Sequence, residues 1–214
     1  MNLIFVRHGE SMGNAARRWQ GHADAALSDT GREQARKLQE RFVSLGYEPT
    51  HVYSSPQSRA FDTATIATEP WDLPIAAWDD LMEVDVGVIS GLTWDEFEAR
   101  FPETARNFAE NRNWDDIPGA ERMLDRSIRA RRALERLISD HTNEDRVVAF
   151  AHGGIISHLF AELMGSKRLW SVHADNTAVF EFMVDVDLWE KDGPALVTSN
   201  LWRIIRFNDT SHLG

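Results

Sequence analysis

A chain of 214 residues with 43% hydrophobic content can bury the core of one large domain, and no apolar stretch in it is long enough to span a bilayer. The absence of cysteine excludes disulfides and thiolate chemistry and fits a reducing compartment; with no secretion signal in view, a cytoplasmic protein is expected. A formal net charge of −11 argues against nucleic acid, whose binding needs a broad basic surface, so an anionic ligand must be held by a local basic pocket.

Leu3-Ile4-Phe5-Val6 is a continuous apolar run, the pattern of a strand buried on both faces of a parallel sheet, and it leads into Arg7-His8-Gly9-Glu10-Ser11. Gly9 permits a sharp turn with close approach of backbone to a ligand, and a helix starting near Ser11 would aim free N–H groups at that turn. Arg7 brings a guanidinium fork suited to phosphate oxygens, and His8 a neutral imidazole nitrogen able to attack phosphorus. Asn14 to Gly21 reads as a loop returning over the strand end, with Arg17 and Arg18 open to solvent. A helix is predicted from about Gly31 to Leu45, with Thr30 and Glu33 as a capping box, Ala35, Leu38, Phe42 and Leu45 buried, and Gly46 as its stop. His51-Val52-Tyr53 reads as a second strand. Ser55 then caps and Pro56 opens a helix that puts Arg59 one turn in, within reach of the C-terminal edge of the strands.

Pro74 to Trp78 is a brief strand, and Leu81 to Gly91 an irregular stretch carrying Glu83 and Asp85 among apolar neighbours. Thr93 and Glu96 form another capping box, opening a short helix toward Arg100. The stretch from about 91 to 118 reads as a cap or lid, with Trp94, Phe97, Phe101 and Trp114 as candidate walls of a substrate pocket. A long helix is predicted from about Glu121 to His141, burying Leu124, Ile128, Leu134, Leu137 and Ile138, with its arginine run on a solvated face. Arg146 to Ala151 is a second clear buried strand and ends in His152-Gly153-Gly154. The helix after it buries Ile155, Ile156, Leu159, Phe160, Leu163 and Met164 and stops at Gly165. Two β-rich segments, Thr177 to Val184 and Ala195 to Phe207, close the chain. Strands alternating with helices predict a single α/β domain over 1–214, a three-layer α/β/α sandwich with a mainly parallel central sheet and a small helical cap.

In such a sheet the strand ends before His8, Arg59 and His152 share one edge, so two histidines, two arginines and a glycine-lined helix start converge on one small anion. Eight histidines without paired ligand spacing, and arginines that repel a cation from His8, give no case for a metal; no cofactor is expected.

With these motifs, Arg18-Trp19-Gln20-Gly21, Leu27 to Gly31, Ser54-Ser55-Pro56 with Arg59-Ala60 and Thr63-Ala64, Glu83 with Gly87 and Gly91, and Asn208 to Leu213 complete a pattern. Over nearly its whole length the chain resembles the histidine phosphatase superfamily, also called the phosphoglycerate-mutase-like family. The resemblance implies a phosphohistidine mechanism in which His8 is the nucleophile, Arg7, Arg59 and His152 grip the transferring phosphoryl group, and Glu83 protonates the leaving oxygen. Asn14, Arg18, Gln20, Gly21 and Gly153 match phosphate- or substrate-contact positions. Neighbouring arginines disfavour a proton on His8. They also favour an ionised Glu83, so the proton of the general acid is expected to arrive with the substrate dianion. Asp85 is a nearby competitor for that role. Where many relatives read Gly-Glu-Ser before the long helix, this chain has Gly119-Ala120-Glu121-Arg122, with arginine at the serine position.

Three functions fit: a hydrolase, a mutase returning phosphate to a second hydroxyl, and a phosphate-binding module without turnover. The glycolytic mutases carry Glu-Arg-His-Tyr-Gly where this chain reads Glu83-Val84-Asp85-Val86-Gly87, which resembles the shorter phosphatase branch. The expectation is a metal-independent phosphomonoesterase of the histidine acid phosphatase type, a monomer or homodimer. Its partner would be a small phosphorylated metabolite, with no nucleic acid and no membrane. In the cap, Glu96, Glu98, Glu103, Glu110, Asp115 and Asp116 outnumber Arg100, Arg106 and Arg112, which would favour a monoester over a bisphosphate.

Overall fold

The computed structural model describes residues 1–166, 168–169, 172–189 and 201–214. Strand β1 (Asn2–Arg7) pairs in parallel with β4 (Arg146–Ala151), Leu3 opposite Val147 and Val6 opposite Phe150. Both are uninterrupted apolar runs because helices cover both faces of the sheet. β2 (His51–Ser54) lies parallel on the other side of β4 and β3 (Ile75–Ala77) parallel beyond it, while β5 (Val179–Val184) pairs antiparallel with β1 and β6 (Trp202–Asp209) antiparallel with β5. The order is β3-β2-β4-β1-β5-β6, a mainly parallel sheet as expected. Residues 195–200 of the last expected β segment lie outside the described residues.

A short helix α1 (Met12–Ala15) follows β1, and α2 (Asp29–Ser44) and α3 (Ser58–Thr68) cover one face with Leu38, Phe42 and Ala64 against Ile4, Val6 and Val148. The other face is covered by α6 (Met123–Ser139) and α7 (Gly153–Leu163), whose Leu134, Leu137, Ile155 and Leu159 meet Leu3, Phe5 and Val147. Between α3 and α6 in sequence, α4 (Trp94–Arg100) and α5 (Pro102–Asn111) enclose a separate apolar cluster around Val86, Ile89, Phe97, Phe108 and Ile117. A last helical turn, α8 (Val186–Trp189), follows β5. Among the described residues no helix is long and apolar enough to cross a membrane.

Several local expectations shift. α2 begins two residues early because Ser28, not Thr30, caps it: its hydroxyl accepts from Gly31 N–H at 3.0 Å. Leu45, just past the helix end, is exposed. α3 starts at Ser58 with Gln57 before it and no side-chain cap; the Ser55 hydroxyl instead accepts from Gln57 N–H in the preceding turn, so Arg59 is the second helical residue. The Thr93–Glu96 capping box forms as expected. In α6 the buried stripe is Arg126, Ala130, Ala133, Leu134, Leu137 and Ile138, whereas Leu124 and Ile128 are exposed at 64% and 51%. The stripe turns because the first contact of α6 is with the cap, where Arg126 lies over the Trp114 ring at 5.2 Å. Met164, at the end of α7, is also partly exposed.

Candidate active site

Because β1 and β4 are parallel neighbours, Arg7-His8 and His152 leave the sheet side by side at one edge, and His8 N–H donates to Ala151 O at 3.0 Å across the junction. Asn176 Nδ2 holds the His8 carbonyl from the other side at 3.0 Å. Gly9 is required by crowding: a Cβ there would fall 2.6 Å from the carbonyl oxygen of Gly31, so the His8 turn packs backbone to backbone on the start of α2. The N–H of Gly9 donates to Thr63 Oγ1 at 3.0 Å, tying the same turn to α3.

The two histidines sit ring to ring, centroids 5.0 Å apart, both buried. His8 Nδ1 lies 2.6 Å from the Gly9 carbonyl, which only accepts; that nitrogen therefore carries the proton and Nε2 keeps its lone pair. Burial first, and then the charges of Arg7 and Arg59, hold its pKa well below the ordinary histidine value. In His152, Nδ1 accepts from Arg59 Nε–H at 3.2 Å, which puts the proton on Nε2, and that buried donor has no partner among the described residues. Arg59, 1% exposed, is fixed by the carbonyls of Ala23 at 2.9 Å and Gly21 at 3.0 Å. Arg7 gives Nη1 to the Ala174 carbonyl, while its buried Nε–H is unpaired among the described residues. Burial disfavours both guanidinium charges and Glu83 offsets part of that cost. A neutral imidazole with a free lone pair is thus grouped with two buried donors that lack acceptors among the described residues, an arrangement suited to an anion arriving at His8.

Glu83 occupies the start of α7. Gly154 N–H donates to its Oε2 at 3.2 Å, and Ile155 N–H and Val84 N–H to its Oε1 at 3.1 and 2.9 Å. The glycine-lined helix start, expected from sequence to face the anion directly, is thus filled by a carboxylate. A Cβ at Gly154 would lie 2.4 Å from Glu83 Oε1, so this position must be glycine for the carboxylate to sit there. Gly153 lies beside Arg7, where an added Cβ would keep an ordinary 3.8 Å from Arg7 Nε. Asp85 turns away, with Oδ2 3.7 Å from His22 and Oδ1 accepting from Gly87 N–H.

Of the other matched positions, Gly21 (φ +51°) positions Arg59 through its carbonyl. Asn14 and Gln20 are engaged at Ser11, Asn14 as the reciprocal partner in the capping box of α1 and Gln20 through Oε1 at 2.8 Å from the Ser11 hydroxyl. Arg18 is half exposed and pairs with Glu96 on the cap, Nη2 to Oε1 at 2.9 Å.

Three residues were missed by the sequence reading. Buried Gln57 bridges Gly21 O (2.9 Å) and Glu83 N–H (2.8 Å), coupling the Arg59 anchor to the Glu83 loop. Arg129 donates to Met82 O at 2.7 Å and binds Glu121 with both Nε and Nη2, at 2.9 and 2.7 Å; with Arg126, 2% exposed, it shows that the arginine run of α6 is partly internal. Their signal in the sequence was only their spacing with buried Ala130 and Ala133. Among the described residues no three His, Asp or Glu side chains gather as metal ligands.

The model of the histidine phosphatase superfamily (branch 1) matches residues 3–200. The chain belongs to that superfamily. It is 37% identical to phosphoglycerate mutase-like protein 4 of Arabidopsis thaliana, over 99% of this chain and 86% of the relative. It is 36% identical to the metal-independent phosphoserine phosphatase of the same plant, over 75% of this chain and 68% of that one. Among solved structures it is similar to a mycobacterial glucosyl-3-phosphoglycerate phosphatase complexed with VO3, at TM-score 0.77 and 27% identity over 97% and 98% of the two chains.

Beside this superfamily site lies a cavity of about 810 Å³ that meets it at Glu83 and Gly154 and is walled by Trp19, Trp114, Arg126 and His158. Of the four aromatic residues expected to line it, only Trp114 does; Phe97 is buried in the cap cluster, with Trp94 and Phe101 packed against it. None of the six acidic cap residues lies in its wall.

Proposed function

We propose that the protein is a metal-independent phosphatase that hydrolyses small phosphate monoesters through a phosphohistidine on His8. One observation carries the reading: buried His8 holds Nε2 unprotonated beside Arg7 Nε–H and His152 Nε2–H, donors unpaired among the described residues. In the first step Nε2 attacks phosphorus, the P–O bond to the leaving group breaks, and Glu83 gives its proton to the departing oxygen. In the second, water attacks phosphorus, the N–P bond breaks, and Glu83 takes the proton from that water. Arg7, Arg59 and His152 stabilise the equatorial oxygens throughout, a role for fixed cations and donors that needs little else. The relatives named as phosphatases support this reaction class.

The test is to trap the intermediate from a labelled aryl phosphate. Acid-labile, base-stable phosphate on His8, released by water, is expected, and label on another residue overturns the reading. Activity that disappears in chelator and returns with one specific metal counts against metal independence. A mutase is the second reading, favoured by the 37% identical mutase-like relative. Supplying 3-phosphoglycerate with catalytic 2,3-bisphosphoglycerate decides between them: isomerisation that outpaces phosphate release from every monoester selects the mutase.

A further inference from the structure

We propose that Arg126 selects the leaving group, favouring phosphate monoesters whose leaving group carries a carboxylate; this rests on the phosphatase reading with Glu83 as the acid. The Arg126 side chain is 2% exposed, yet among the described residues it has no carboxylate within ion-pair distance. Its Nε–H donates to Glu121 O at 2.7 Å, one Nη reaches Asp85 O only at 3.5 Å, and the other faces the Met123 sulfur at 3.8 Å. The remaining contact is the Trp114 ring. A buried guanidinium normally has an anionic partner and satisfied N–H groups.

The acidic groups near enough to act on Arg126 are otherwise engaged. Glu121 is bound by Arg129 through both carboxylate oxygens, Asp115 is exposed and accepts from Met123 N–H, and Glu83 accepts from three backbone N–H groups. Buried His158 adds no charge at neutral pH, its pKa pressed down to about 4 by burial and the two arginines. Arg112 places a second cation in the same wall. The cavity wall therefore carries two cations, Arg126 and Arg112, in addition to its junction with Glu83.

Glu83 and Arg126 share this cavity. If Glu83 protonates the leaving oxygen, the carbon skeleton attached to that oxygen must occupy the space Arg126 faces. A carboxylate there meets a planar fork whose two Nη groups make only long contacts, at 3.5 and 3.8 Å, and could take them up as a bidentate pair. An uncharged skeleton leaves the buried charge without a partner, so the site discriminates by what the wrong substrate fails to satisfy.

Matched pairs of probes test this. O-phosphoserine and O-phosphoethanolamine differ by one carboxylate, and 3-phosphoglycerate and glycerol 3-phosphate by a carboxylate in place of a hydroxymethyl group. The wild-type protein should prefer the acid of each pair by about tenfold or more in kcat/KM. In Arg126→Met the ratio should fall to within about threefold of one, mainly through KM, and Arg126→Lys should recover part of it. Calorimetric binding of 3-phosphoglycerate and glycerol 3-phosphate to His8→Ala reads the same preference without turnover, and remains informative if Arg126→Met does not fold. Hydrolysis of 4-nitrophenyl phosphate, which has no carboxylate, reports the phosphatase reading separately. Equal binding of the two three-carbon probes, or an unchanged ratio in folded Arg126→Met, overturns the proposal.

Discussion

On the proposed mechanism, the phosphoryl end of the site and its leaving-group end are built by different means. Arg7, His8 and His152 project from the ends of two neighbouring parallel strands, so the β1–β4 register brings them together, and Arg59 is held by two backbone carbonyls. The leaving-group cavity is assembled from side chains of separate elements: Trp19 from a loop, Trp114 from the cap, Arg126 from α6 and His158 from α7. Backbone register fixes the chemistry, and side-chain packing fixes what the chemistry acts on. Changes at the first end should therefore act on all substrates alike, and changes at the second should depend on the substrate.

The largest effect tests the first half of that statement. His8→Ala should lower turnover of every monoester by ~10³-fold or more while leaving the circular dichroism spectrum unchanged, because the nucleophile itself is removed. A loss confined to some substrates would break the comparison.

Glu83 stands where the two ends join, and its removal should be graded by the leaving group. Glu83→Gln is expected to slow alkyl phosphates by ~10²-fold and 4-nitrophenyl phosphate much less, since nitrophenolate leaves without a proton. Gly154→Ala should reproduce the pattern in weaker form, its methyl group displacing the carboxylate from the α7 start. Equal slowing of alkyl and aryl substrates in both variants would show that Glu83 is not the acid.

Acid pH separates the ends differently. His8 and His152 have pKa values pressed well below 6.5, chiefly by burial, and His158 and His212 are each lowered to about 4. With the folded value depressed, the unfolded chain takes up protons first, so stability is full above about pH 6.5 and is lost as pH falls from there toward 4. The thermal midpoint should be level from pH 8 to 7 and fall steadily below 6.5. The acid limb of kcat/KM should lie below the ordinary histidine range, because His8 stays neutral there. A limb centred at 6.5 would mean that the nucleophile is neither buried nor influenced by its arginines.

The same division explains what could be read in the sequence. Buried strands announce themselves as apolar runs, and a residue at the end of such a run has its place set by topology, so His8, Arg7, His152 and the sheet were legible before any coordinates. Glu83 at the start of α7 was not, since the pairing joins segments about seventy residues apart and an irregular loop carries no period. Arg126 and Arg129 read as solvated charges in the sequence because a run of arginines on a helix usually is one. Here the helix lies between the sheet and the cap, and its polar side is partly enclosed. The acidic tally failed for a related reason: Glu98, Glu103, Glu110, Asp115 and Asp116 point to solvent, and Glu96 pairs with Arg18.

The smallest expected effect concerns Arg122, the departure from the usual serine. It stands at the N-cap of α6 with extended backbone and no side-chain cap hydrogen bond, its own side chain 69% exposed and paired only with Asp125, three residues on. An exposed pair of this kind contributes little, and a cation at the positive end of a helix is unfavourable. Serine at an N-cap position can instead accept from the N–H groups of the first turn. Arg122→Ser should therefore stabilise the protein by about 0.5–1 kcal/mol, a rise of roughly 1–4 °C in the thermal midpoint for a chain of this size. Arg122 does not line the cavity, whereas its neighbour Met123 does, so kcat/KM for both members of each matched pair should change less than about twofold. A lower midpoint would mean that Arg122 supports the helix start through its pair with Asp125. A shift in the acid-to-alcohol ratio would mean that the leaving-group end reaches one residue further along α6 than its walls indicate.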